Sequence, residues 1–541
     1  MSELILLNAR IYTMEAARPI AHAIAIRDNQ IVAVGDEQFM LRMLPHAQKI
    51  DLHDRCVIPG LIDAHLHAEW TALGLKNVDA ETPTLDEVLR RVEEFAQKTP
   101  PGQWIRGHGW NQNVWGPQLA GGNFPTKADL DRVAPEHPVF LTAKSGHAAW
   151  ANSLALKLAG ITSSTPNPIG GEIVRDAAAG AGGEPTGIFF EDALELVSKI
   201  IPEPTAQQVA DALRDALPLF QRVGLTGVHD FDGARALQAW QILKENDELN
   251  FRVSKTIPIA LLAHAIALGI RSGFGDDRLR LNSVKSFADG ALGPQTALMI
   301  DPYEGSNDKR GISTLDKEEM IENVRKAGAA GLSSTIHAIG DKANHDVLDV
   351  FEAIRAEEKL RQEEGTPRLR HRIEHVQLLY PDDFNRLGQL GIIASMQPSH
   401  ATSDMLIADK YWGARSAGAY AWRTQLNAGA RLAFGSDSPV ESFNPFLGIH
   451  AAVTRRRADG SPQADGWYSE QRLTVAEAVH GFTLGAAYAS YDEARKGSLA
   501  PGKLADLIVL DRDIFTVDPM EIAETKVLAT MIDGQFVWRD F

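Results

Sequence analysis

Eight short apolar segments in the middle of the chain, each followed by a pattern typical of a helix, most constrain how this sequence can fold. The eight segments are LIDAHLH (61–67), GLTGVHDF (224–231), FRVSKTIP (251–258), LNSVKSFAD (281–289), LSSTIHAIGD (332–341), RHRIEHVQ (370–377), GIIASMQPSH (391–400) and RLAFGSDSP (431–439). Strands that alternate with helices are typical of an α/β protein with a parallel sheet and crossover helices. Eight such units therefore predict a (β/α)₈ barrel, which we expect over residues 59–489.

The two ends of the chain have a different pattern. Short strands separated by turn residues are indicated over 1–58 and again over 490–541, where DLIVLDRD and VLATMIDGQFVW stand out. Chain termini often lie close together in folded domains. We therefore expect both ends of the chain to build one composite β-sandwich.

The first two barrel strands are separated by about 150 residues, far more than a simple crossover connection requires. This length predicts an inserted subdomain over 70–220, with a strand of its own at PVFLTAK (138–144). The tract of small residues at 177–183 is expected to be a loop.

Composition excludes several classes of protein. With 54 Lys and Arg against 71 Asp and Glu, the formal net charge is −17, a balance that does not suit nucleic-acid binding. The basic run Arg455–Arg456–Arg457 is expected to lie in a solvated turn. The single cysteine, Cys56, excludes an internal disulfide and an all-thiolate metal site, and its apolar neighbours predict a buried side chain.

The first residues, MSELILLNARIYTM, lack the basic start and the long apolar stretch of a signal peptide. No run in the sequence approaches the roughly 20 apolar residues that a membrane span requires. We therefore expect a cytoplasmic protein that binds a small molecule rather than a membrane. We also expect a homodimer.

Potential metal ligands lie at the ends of the predicted barrel strands. His65 and His67 share one face of the first strand, because side chains at positions i and i+2 point the same way. Asp63, two residues earlier, is placed to support them. His229 and Asp230 close the second strand and are candidates for the same supporting role. Alone, such a histidine pair is weak evidence for a metal site, since two histidines without a metal role, on a surface or in a core, give the same pattern.

Further candidates occupy equivalent positions on other strands. His337 closes the fifth strand, His375 the sixth and Asp437 the eighth, while Lys285 lies within the fourth. The active site of a (β/α)₈ enzyme is built at the C-terminal face from residues of several strands. The sequence therefore predicts that these side chains converge with the histidine pair in one metal site.

Several segments together resemble one known family. They are PGLIDAHLH, VKSFADGALG, IHAIGD, RIEH, MQPSH, FGSDSPV and the tail GSLAPGKLADLIVLD. In this order and spacing they resemble the amidohydrolase superfamily, and within it the YtcJ-like branch, also called amidohydrolase family 3. The resemblance extends over nearly the whole chain.

The resemblance implies a binuclear metal centre, usually of zinc. The matching residues would be His65, His67 and Asp437 for one ion, and His337 and His375 for the other. Lys285 would bridge the two ions as a carboxylated lysine, because desolvation and nearby positive charge lower the pKa of a lysine and the neutral amine can take up CO₂. The alternative is an unmodified Lys285 that pairs with Asp289 or Asp437.

The resemblance also implies a hydrolase that cleaves a C–N bond of an amide by means of a metal-activated hydroxide. Asp437 is the expected general base, which accepts the proton of the water and passes it to the leaving amine. The expected substrate is a small apolar or aromatic N-substituted amide. Deformylation of N-substituted formamides is one activity that the resemblance suggests.

Two alternatives stay open. A deaminase of the same superfamily would use one metal ion and a Glu three residues after the fifth-strand histidine, but this sequence has Gly340 there, and Asp341 is expected to cap the following helix. A barrel of this type can also serve as a non-catalytic interaction protein, although every ligand position is kept. Two zinc ions per chain would support the hydrolase, one a deaminase and none a binding protein.

Four residues are candidates for substrate contacts. Trp110 and Trp115 lie in the segment GHGWNQNVWG, which is expected to be an active-site loop, with a packing core of the insertion as the alternative. His147 lies in SGHAAWANSLAL, which also resembles a family motif, with a capping or core histidine as the alternative. His400 follows the seventh barrel strand and is expected to face the same mouth.

Overall fold

The computed structural model describes residues 2–115, 124–144, 147–176, 183–363 and 368–541. The chain divides into two compact units. The barrel unit comprises Met1–Thr71 and Val209–Phe541, and the inserted unit comprises Ala72–Gln208. The loop predicted at 177–183 lies, apart from its last residue, outside the described part of the chain. Within the described ranges, no helix is both long enough and apolar enough to cross a membrane.

The strands are distributed over both units. The barrel unit begins with β1 (Glu3–Tyr12), β2 (Ile20–Ala21), β3 (Ala23–Arg27), β4 (Gln30–Gly35), β5 (Gln48–Pro59) and β6 (Leu61–Leu66). The inserted unit contains β7 (Val78–Asp79), β8 (Ile105–Trp110), β9 (Val139–Ala143), β10 (Ala148–Ala151), β11 (Gly171–Arg175) and β12 (Pro185–Glu191). The barrel unit continues with β13 (Leu225–Asp230), β14 (Arg252–Pro258), β15 (Phe274–Gly275), β16 (Leu279–Phe287), β17 (Ser333–Ala338), β18 (Arg372–His375), β19 (Ile393–Met396), β20 (Arg431–Phe434), β21 (Leu507–Leu510), β22 (Val527–Ile532) and β23 (Gln535–Arg539).

Helices separate most of these strands. The first seven are α1 (Glu37–Met43), α2 (Ala68–Leu75), α3 (Leu85–Lys98), α4 (Gln112–Trp115), α5 (Lys127–Val133), α6 (Ser153–Leu158) and α7 (Glu195–Ser198). They are followed by α8 (Ala206–Arg222), α9 (Ala234–Glu245), α10 (Leu262–Ala267), α11 (Lys317–Ala329), α12 (Asp341–Glu363) and α13 (Arg386–Leu390). The last five are α14 (Pro398–Trp412), α15 (Trp422–Asn427), α16 (Pro445–Thr454), α17 (Val475–His480) and α18 (Ala486–Ala489).

The eight predicted barrel strands are confirmed, as β6, β13, β14 and β16 to β20. They follow one another in chain order within one sheet, and every neighbouring pair is parallel. Strands such as β6, β13 and β18 are buried along their whole length, as expected where helices cover a parallel sheet. The protein is therefore an α/β protein with a (β/α)₈ barrel.

Hydrogen bonds join the first barrel strand to the segment that follows the last one. The amide of Asp437 donates to the carbonyl of His65 at 2.7 Å. Asp63 connects the same two segments through its side chain, because its Oδ1 accepts from the amides of His65 and Ser436, both at 3.0 Å. These bonds close the barrel at the C-terminal ends of β6 and β20.

The strands of both chain ends form one sheet in the order β23-β22-β21-β5-β1-β3-β4, with β2 beside β1. β21 lies antiparallel to β5 and so joins the two ends of the chain. One apolar core contains side chains from both ends, among them Leu6, Ile26, Val57, Leu507 and Met531. Both chain ends therefore share one sheet and one core, as expected of a composite domain. They form a single hydrogen-bonded sheet rather than the two sheets of the predicted sandwich. Cys56 is buried in β5, as predicted.

The prediction of a solvated turn is wrong for Arg455, which is only 1% exposed. Its Nη1 donates to the carbonyl of Tyr420 at 2.8 Å. The guanidinium also lies over the rings of Trp422 and Trp467, at 4.6 and 4.8 Å from their centroids. Aromatic partners from distant segments can hold an arginine in the interior, and the local run of charges gives no sign of them.

The inserted unit has its own sheet, in the order β11-β12-β10-β9-β8-β7, and the predicted strand PVFLTAK is confirmed as β9. Its core contains Trp110, Trp115 and Trp150, whose ring centroids lie 6.3 to 6.5 Å apart. All three indoles donate to backbone carbonyls at 2.8 or 2.9 Å. The prediction that GHGWNQNVWG is an active-site loop is wrong for its first four residues, which end β8.

Arg252 carries a buried ion-pair network between the barrel and the terminal sheet. Its Nη2 lies 2.7 Å from Asp506 Oδ1 and 2.7 Å from Asp533 Oδ1. We expect Arg252→Ala to lower the free energy of unfolding by about 3–5 kcal/mol, because Asp506 would stay buried without its cation. Urea unfolding measures the change. The control Arg27→Ala removes an exposed pair with Glu3 and should shift the midpoint little; equal losses in both variants would contradict the expectation.

The same network predicts a pH dependence. Burial alone would raise the pKa of Asp506, but the attraction to Arg252 outweighs burial and lowers it. A lowered pKa contributes stability above the unfolded value of about 4, and this contribution is lost as the pH falls through the folded value. The difference in unfolding free energy between the wild type and Arg252→Ala should therefore be full at pH 7 and shrink below about pH 4. A difference that stays constant on acidification argues against this assignment.

Candidate metal centre

The first and last barrel strands bring together the three ligands predicted for the first ion. His65 and His67 lie at the end of β6, and Asp437 follows β20. The Nε2 atoms of His65 and His67 each lie 3.4 Å from Asp437 Oδ1. The three donor atoms all lie within 4.8 Å of one another, a spacing that a single metal ion can bridge.

A second group of donors shares the same aspartate. It consists of His375, His400 and Asp437, again with donor atoms within 4.8 Å of one another. His400 Nε2 lies 3.2 Å from Asp437 Oδ2, so the two oxygens of Asp437 face different histidines. His400, predicted as a substrate contact, is therefore placed as a candidate ligand or as a partner of Asp437.

His337 lies beside this centre but outside both groups of described donors. Its ring centroid is 4.5 Å from that of His375. Its Nε2 donates to the carbonyl of Gly290 at 2.9 Å, so Nδ1 is the ring nitrogen left for an ion. Burial lowers the pKa of His337 to about 3, with a further contribution from the charge of Lys285.

Lys285 is buried near the centre without a carboxylate partner. Its Nζ lies 5.0 Å from the centroid of Phe231 and 4.6 Å from that of Phe287, and among the described residues it makes no ion pair. Burial lowers the pKa of Lys285 to about 8, although nearby carboxylates oppose the shift. The alternative pairing with Asp289 is not observed, because that carboxylate accepts the amides of Ile339 and Gly340 at 3.0 and 2.8 Å.

Acceptors on neighbouring strands and loops fix the orientation of three imidazoles. The Nδ1 atoms of His65, His67 and His375 lie 2.6 Å from Glu374 Oε2, 2.9 Å from Asp232 Oδ1 and 2.8 Å from Gln397 Oε1, respectively. Carboxylate and amide oxygens only accept, so each Nδ1 carries a proton, and Nε2 is the ring nitrogen left for an ion. This arrangement is typical of histidines that bind a metal ion.

These three acceptors were not predicted from the sequence. Glu374 precedes His375 in RIEH and Gln397 lies in MQPSH, so the segments were noticed but the roles of these residues were not. Asp230 was the candidate on the second strand, but it accepts the Trp240 indole at 2.7 Å, while Asp232 reaches His67. Each of the three acceptors bonds a histidine of another strand, and single-strand periodicity does not reveal such pairs.

Arg372 balances the buried charge beneath the histidines. Its Nη2 lies 3.0 Å from Glu374 Oε2, and its Nη1 donates to His229 Nδ1 at 2.9 Å. Burial alone would raise the pKa of Glu374, but Arg372 and His65 outweigh burial and lower it. Glu374 is therefore an anion that holds His65, and His229 supports the centre through Arg372 rather than directly.

Three imidazoles of the centre, those of His65, His337 and His375, have lowered pKa values and are neutral near pH 7. Burial lowers the pKa of His65 to about 4 and that of His375 well below its usual value. Neutral imidazole is the form that binds a metal ion. Burial alone would lower the pKa values of His67 and His400. Hydrogen bonds to carboxylates outweigh burial and raise the pKa of His67 to about 9 and that of His400 to about 10. A cation bound at Asp437 would take over this attraction.

The backbone is unusual where ligands leave their strands. Asp437 has a φ of 60° and His375 a φ of 75°, in the left-handed region that residues other than glycine adopt rarely. Such conformations persist where surrounding bonds hold them and are frequent at active sites. At Asp437 the bond from its amide to His65 supplies part of that constraint.

Gly340 leaves no room for the proton-transferring glutamate of a deaminase. A Cβ at this position would lie 2.0 Å from the carbonyl oxygen of Leu298, so a side chain requires the backbone to move. Asp341 begins α12, and its Oδ1 accepts the amides of Lys342 and Ile300, each at 2.8 Å. Asp341 is thus the first residue of the helix rather than the capping residue before it, because the amide of Asn344 donates to the carbonyl of Gly340 at 2.9 Å.

The remaining predicted contacts belong to the inserted unit. Trp110 and Trp115 are fully buried in its core, which favours the packing alternative over contact with a substrate. His147 lies on the surface of that unit, with Nδ1 2.9 Å from Glu191 Oε2. It is therefore not a core histidine, and its contact with a substrate stays a prediction.

Comparison with known proteins identifies the class. The model of an amidohydrolase family matches residues 48–538. YtcJ of Bacillus subtilis, which is named as an amidohydrolase, is 32% identical, with 98% of each chain covered. The N-substituted formamide deformylase of Arthrobacter pascens is 31% identical, with 99% of this chain and 98% of that protein covered.

A solved structure agrees with these matches. An uncharacterized metal-dependent hydrolase from Pyrococcus furiosus has a TM-score of 0.77 and 30% sequence identity, covering 95% of this chain and all of the other. The chain belongs to the amidohydrolase family. It is a hydrolase, of the class that acts on carbon–nitrogen bonds.

The contact between Asp232 and His67 predicts a loss of metal affinity on mutation. Asp232→Asn removes the charge that orients His67, and we expect the affinity for divalent metal to fall about 10- to 100-fold. Metal content after dialysis against a graded chelator series measures the change. Asp382→Asn, at an exposed position, is the matched control. Unchanged metal retention in Asp232→Asn would refute the orienting role.

Proposed function

We propose that this protein hydrolyses a carbon–nitrogen bond in a small amide at a centre of two divalent metal ions, with zinc as the expected metal. One observation carries the proposal. Two groups of buried donors, each with atoms within 4.8 Å, share Asp437. Imidazoles whose Nε2 atoms lie around one carboxylate fit a metal site, and the family of the chain fits this chemistry.

His65, His67 and Asp437 would hold one ion. His375 would hold the other, together with His337, with a carboxylated Lys285 as the expected bridge and His400 as a further donor within reach of Asp437. When bound, the ions would supply a Lewis acid that acidifies water and polarises the scissile carbonyl group.

Asp437 is the proposed general base. It would accept a proton from the attacking water and return it to the nitrogen of the leaving amine, so that the carboxylate is regenerated in each turnover. Its low pKa keeps it ionised: burial opposes ionisation, but the neighbouring histidines outweigh burial. His400, 3.2 Å from Asp437 Oδ2, would hold the carboxylate in place during the transfer.

Lys285 is suited to carboxylation. Its lowered pKa, about 8, leaves part of the amine neutral near pH 7, and the neutral amine is the form that reacts with CO₂. The resulting carbamate anion would replace the ammonium cation of Lys285 beside two metal ions. This removes the repulsion between the lysine side chain and the ions. The neighbours of Nζ are the rings of Phe231 and Phe287, and among the described residues no carboxylate forms an ion pair with the ammonium form.

The proposed substrate class follows from one relative. The formamide deformylase is similar over almost its whole length, so an N-substituted formamide or related amide is the proposed substrate. A cytoplasmic location, a homodimer and the absence of nucleic-acid and membrane partners stay predictions of the sequence. The deaminase alternative is disfavoured by the closed space at Gly340.

Replacing the general base tests the mechanism. Asp437→Asn keeps the size of the side chain and the hydrogen bond from the backbone amide of residue 437 to His65, but the side-chain amide of asparagine accepts no proton. We expect turnover of an N-substituted amide to fall at least about 100-fold while most of the metal stays bound. Steady-state kinetics and metal analysis of the same preparations measure both. Near-normal turnover in this variant would exclude Asp437 as the base.

Metal stoichiometry tests the two-ion proposal. We expect about two zinc ions per chain in the wild type and about one in Lys285→Met, because the bridge would be lost. Protein equilibrated with ¹³C-bicarbonate should give a carbamate signal in the ¹³C spectrum of the wild type only. One ion per chain in both proteins, with no carbamate signal, would support a mononuclear enzyme instead.

A further inference from the structure

A continuous row of ring contacts crosses the metal centre and ends at an exposed aromatic side chain on each side. Neighbouring centroids in the row Trp70, His67, His65, His375, His337 and Phe287 lie 5.0, 5.6, 5.0, 4.5 and 5.2 Å apart. The four histidines are the candidate ligands. The two ends, Trp70 and Phe287, have no role in binding metal, and both are unusually exposed for residues of their size.

Trp70 is held in a defined position although 59% of it is exposed. It lies in the first turn of α2, and the amide of the preceding Glu69 donates to Asp232 Oδ2 at 2.6 Å. The same Asp232 orients His67, and the indole stacks on that imidazole at an interplanar angle of 20°. One carboxylate therefore positions both a candidate ligand and an aromatic surface beside it.

Phe287 occupies the corresponding place at the other end of the row. It is the last residue of β16 and is 48% exposed. Its ring lies 4.6 Å from Lys285 Nζ, so it borders the expected bridge between the ions.

We propose that Trp70 and Phe287 form an apolar rim, with one ring on each side of the metal centre, and that one of these two rings receives the aryl substituent of the substrate. Single exposed apolar residues are ordinary. Here two of them contact candidate ligands of one polar cluster, which is the composition of a small-molecule site with an apolar wall and a polar centre. Aromatic rings gain from stacking in addition to burial, so the rim favours aryl over short alkyl groups.

This inference rests on the proposed function only in placing the reacting amide at the metal ions. It goes further by naming the residues that select the substituent. The polar centre would act on the amide group common to all substrates, whereas the rim would set the relative affinity for different substituents. Changes in the rim should therefore alter binding of the substituent and leave the metal in place.

The test compares two metal-binding probes on the zinc-loaded protein. Benzohydroxamate and acetohydroxamate share the group that binds metal and differ in phenyl against methyl. We expect benzohydroxamate to bind the wild type about tenfold or more tightly in calorimetry, from burial of the phenyl ring. The double variant Trp70→Ala/Phe287→Ala should remove most of this preference, with unchanged zinc content and unchanged acetohydroxamate affinity. The double variant Trp70→Leu/Phe287→Leu, which keeps apolar bulk, should give an intermediate value.

Phe39→Ala is the matched control, because Phe39 is 51% exposed on helix α1, which follows β4 of the terminal sheet. It should keep the full preference. In kinetics, the rim variants should raise KM for an N-benzyl amide more than for an N-methyl amide, with little change in kcat. Acetohydroxamate binding without an aryl preference, or a preference that survives in the double variant Trp70→Ala/Phe287→Ala, would overturn the rim alone. Failure of both probes to bind would contradict the metal centre and the rim together.

Discussion

The structure depends on the seam between the first barrel strand and the segment after the last. The backbone amide of Asp437 donates a hydrogen bond to the carbonyl of His65, and the backbone amide of His67 donates one to the carbonyl of Ser438 at 2.9 Å. The residues that close the barrel are thus the candidate ligands or their neighbours. Closure of the barrel and assembly of the donor group are one event, because pairing these segments places two Nε2 atoms 3.4 Å from one carboxylate oxygen.

Burying this many ionisable groups requires compensation, since an uncompensated charge in the interior is costly. Arg372 neutralises Glu374, which in turn holds His65. Asp232 and Gln397 hold the other two oriented imidazoles. The oxygens of Asp437 lie 3.2 to 3.4 Å from the Nε2 atoms of His65, His67 and His400. A bound cation would complete this balance of charge in the interior of the barrel.

The site combines a polar centre with an apolar border. The donors lie at strand ends, where eight parallel strands deliver side chains to one face. Trp70 and Phe287 follow or end two of the same strands, so the topology brings chemistry and recognition to one place. Asp232 links the two functions, because it bonds His67 and the start of α2 together.

The eight strands, the composite sheet and most of the metal centre could be predicted from the sequence. Local alternation predicts strands, and residues at strand ends converge whenever parallel strands close into a barrel. The partners of the ligands could not be predicted. His400, Asp232 and Gln397 act across strand and loop boundaries, and which of several nearby polar groups reaches an imidazole depends on side-chain direction. Arg455 was misjudged for the same reason, because its aromatic partners are remote in sequence.

The sequence by itself determined the fold class and the residue types of the centre, since both follow from period and position along each strand. Only the tertiary structure decided that Asp437 serves two groups of histidines, and that Trp110 and Trp115 pack in a core while Trp70 is exposed beside a ligand. Residue type sets what a side chain can do. Burial and neighbours, which are fixed by contacts between distant segments, decide which of those possibilities is used.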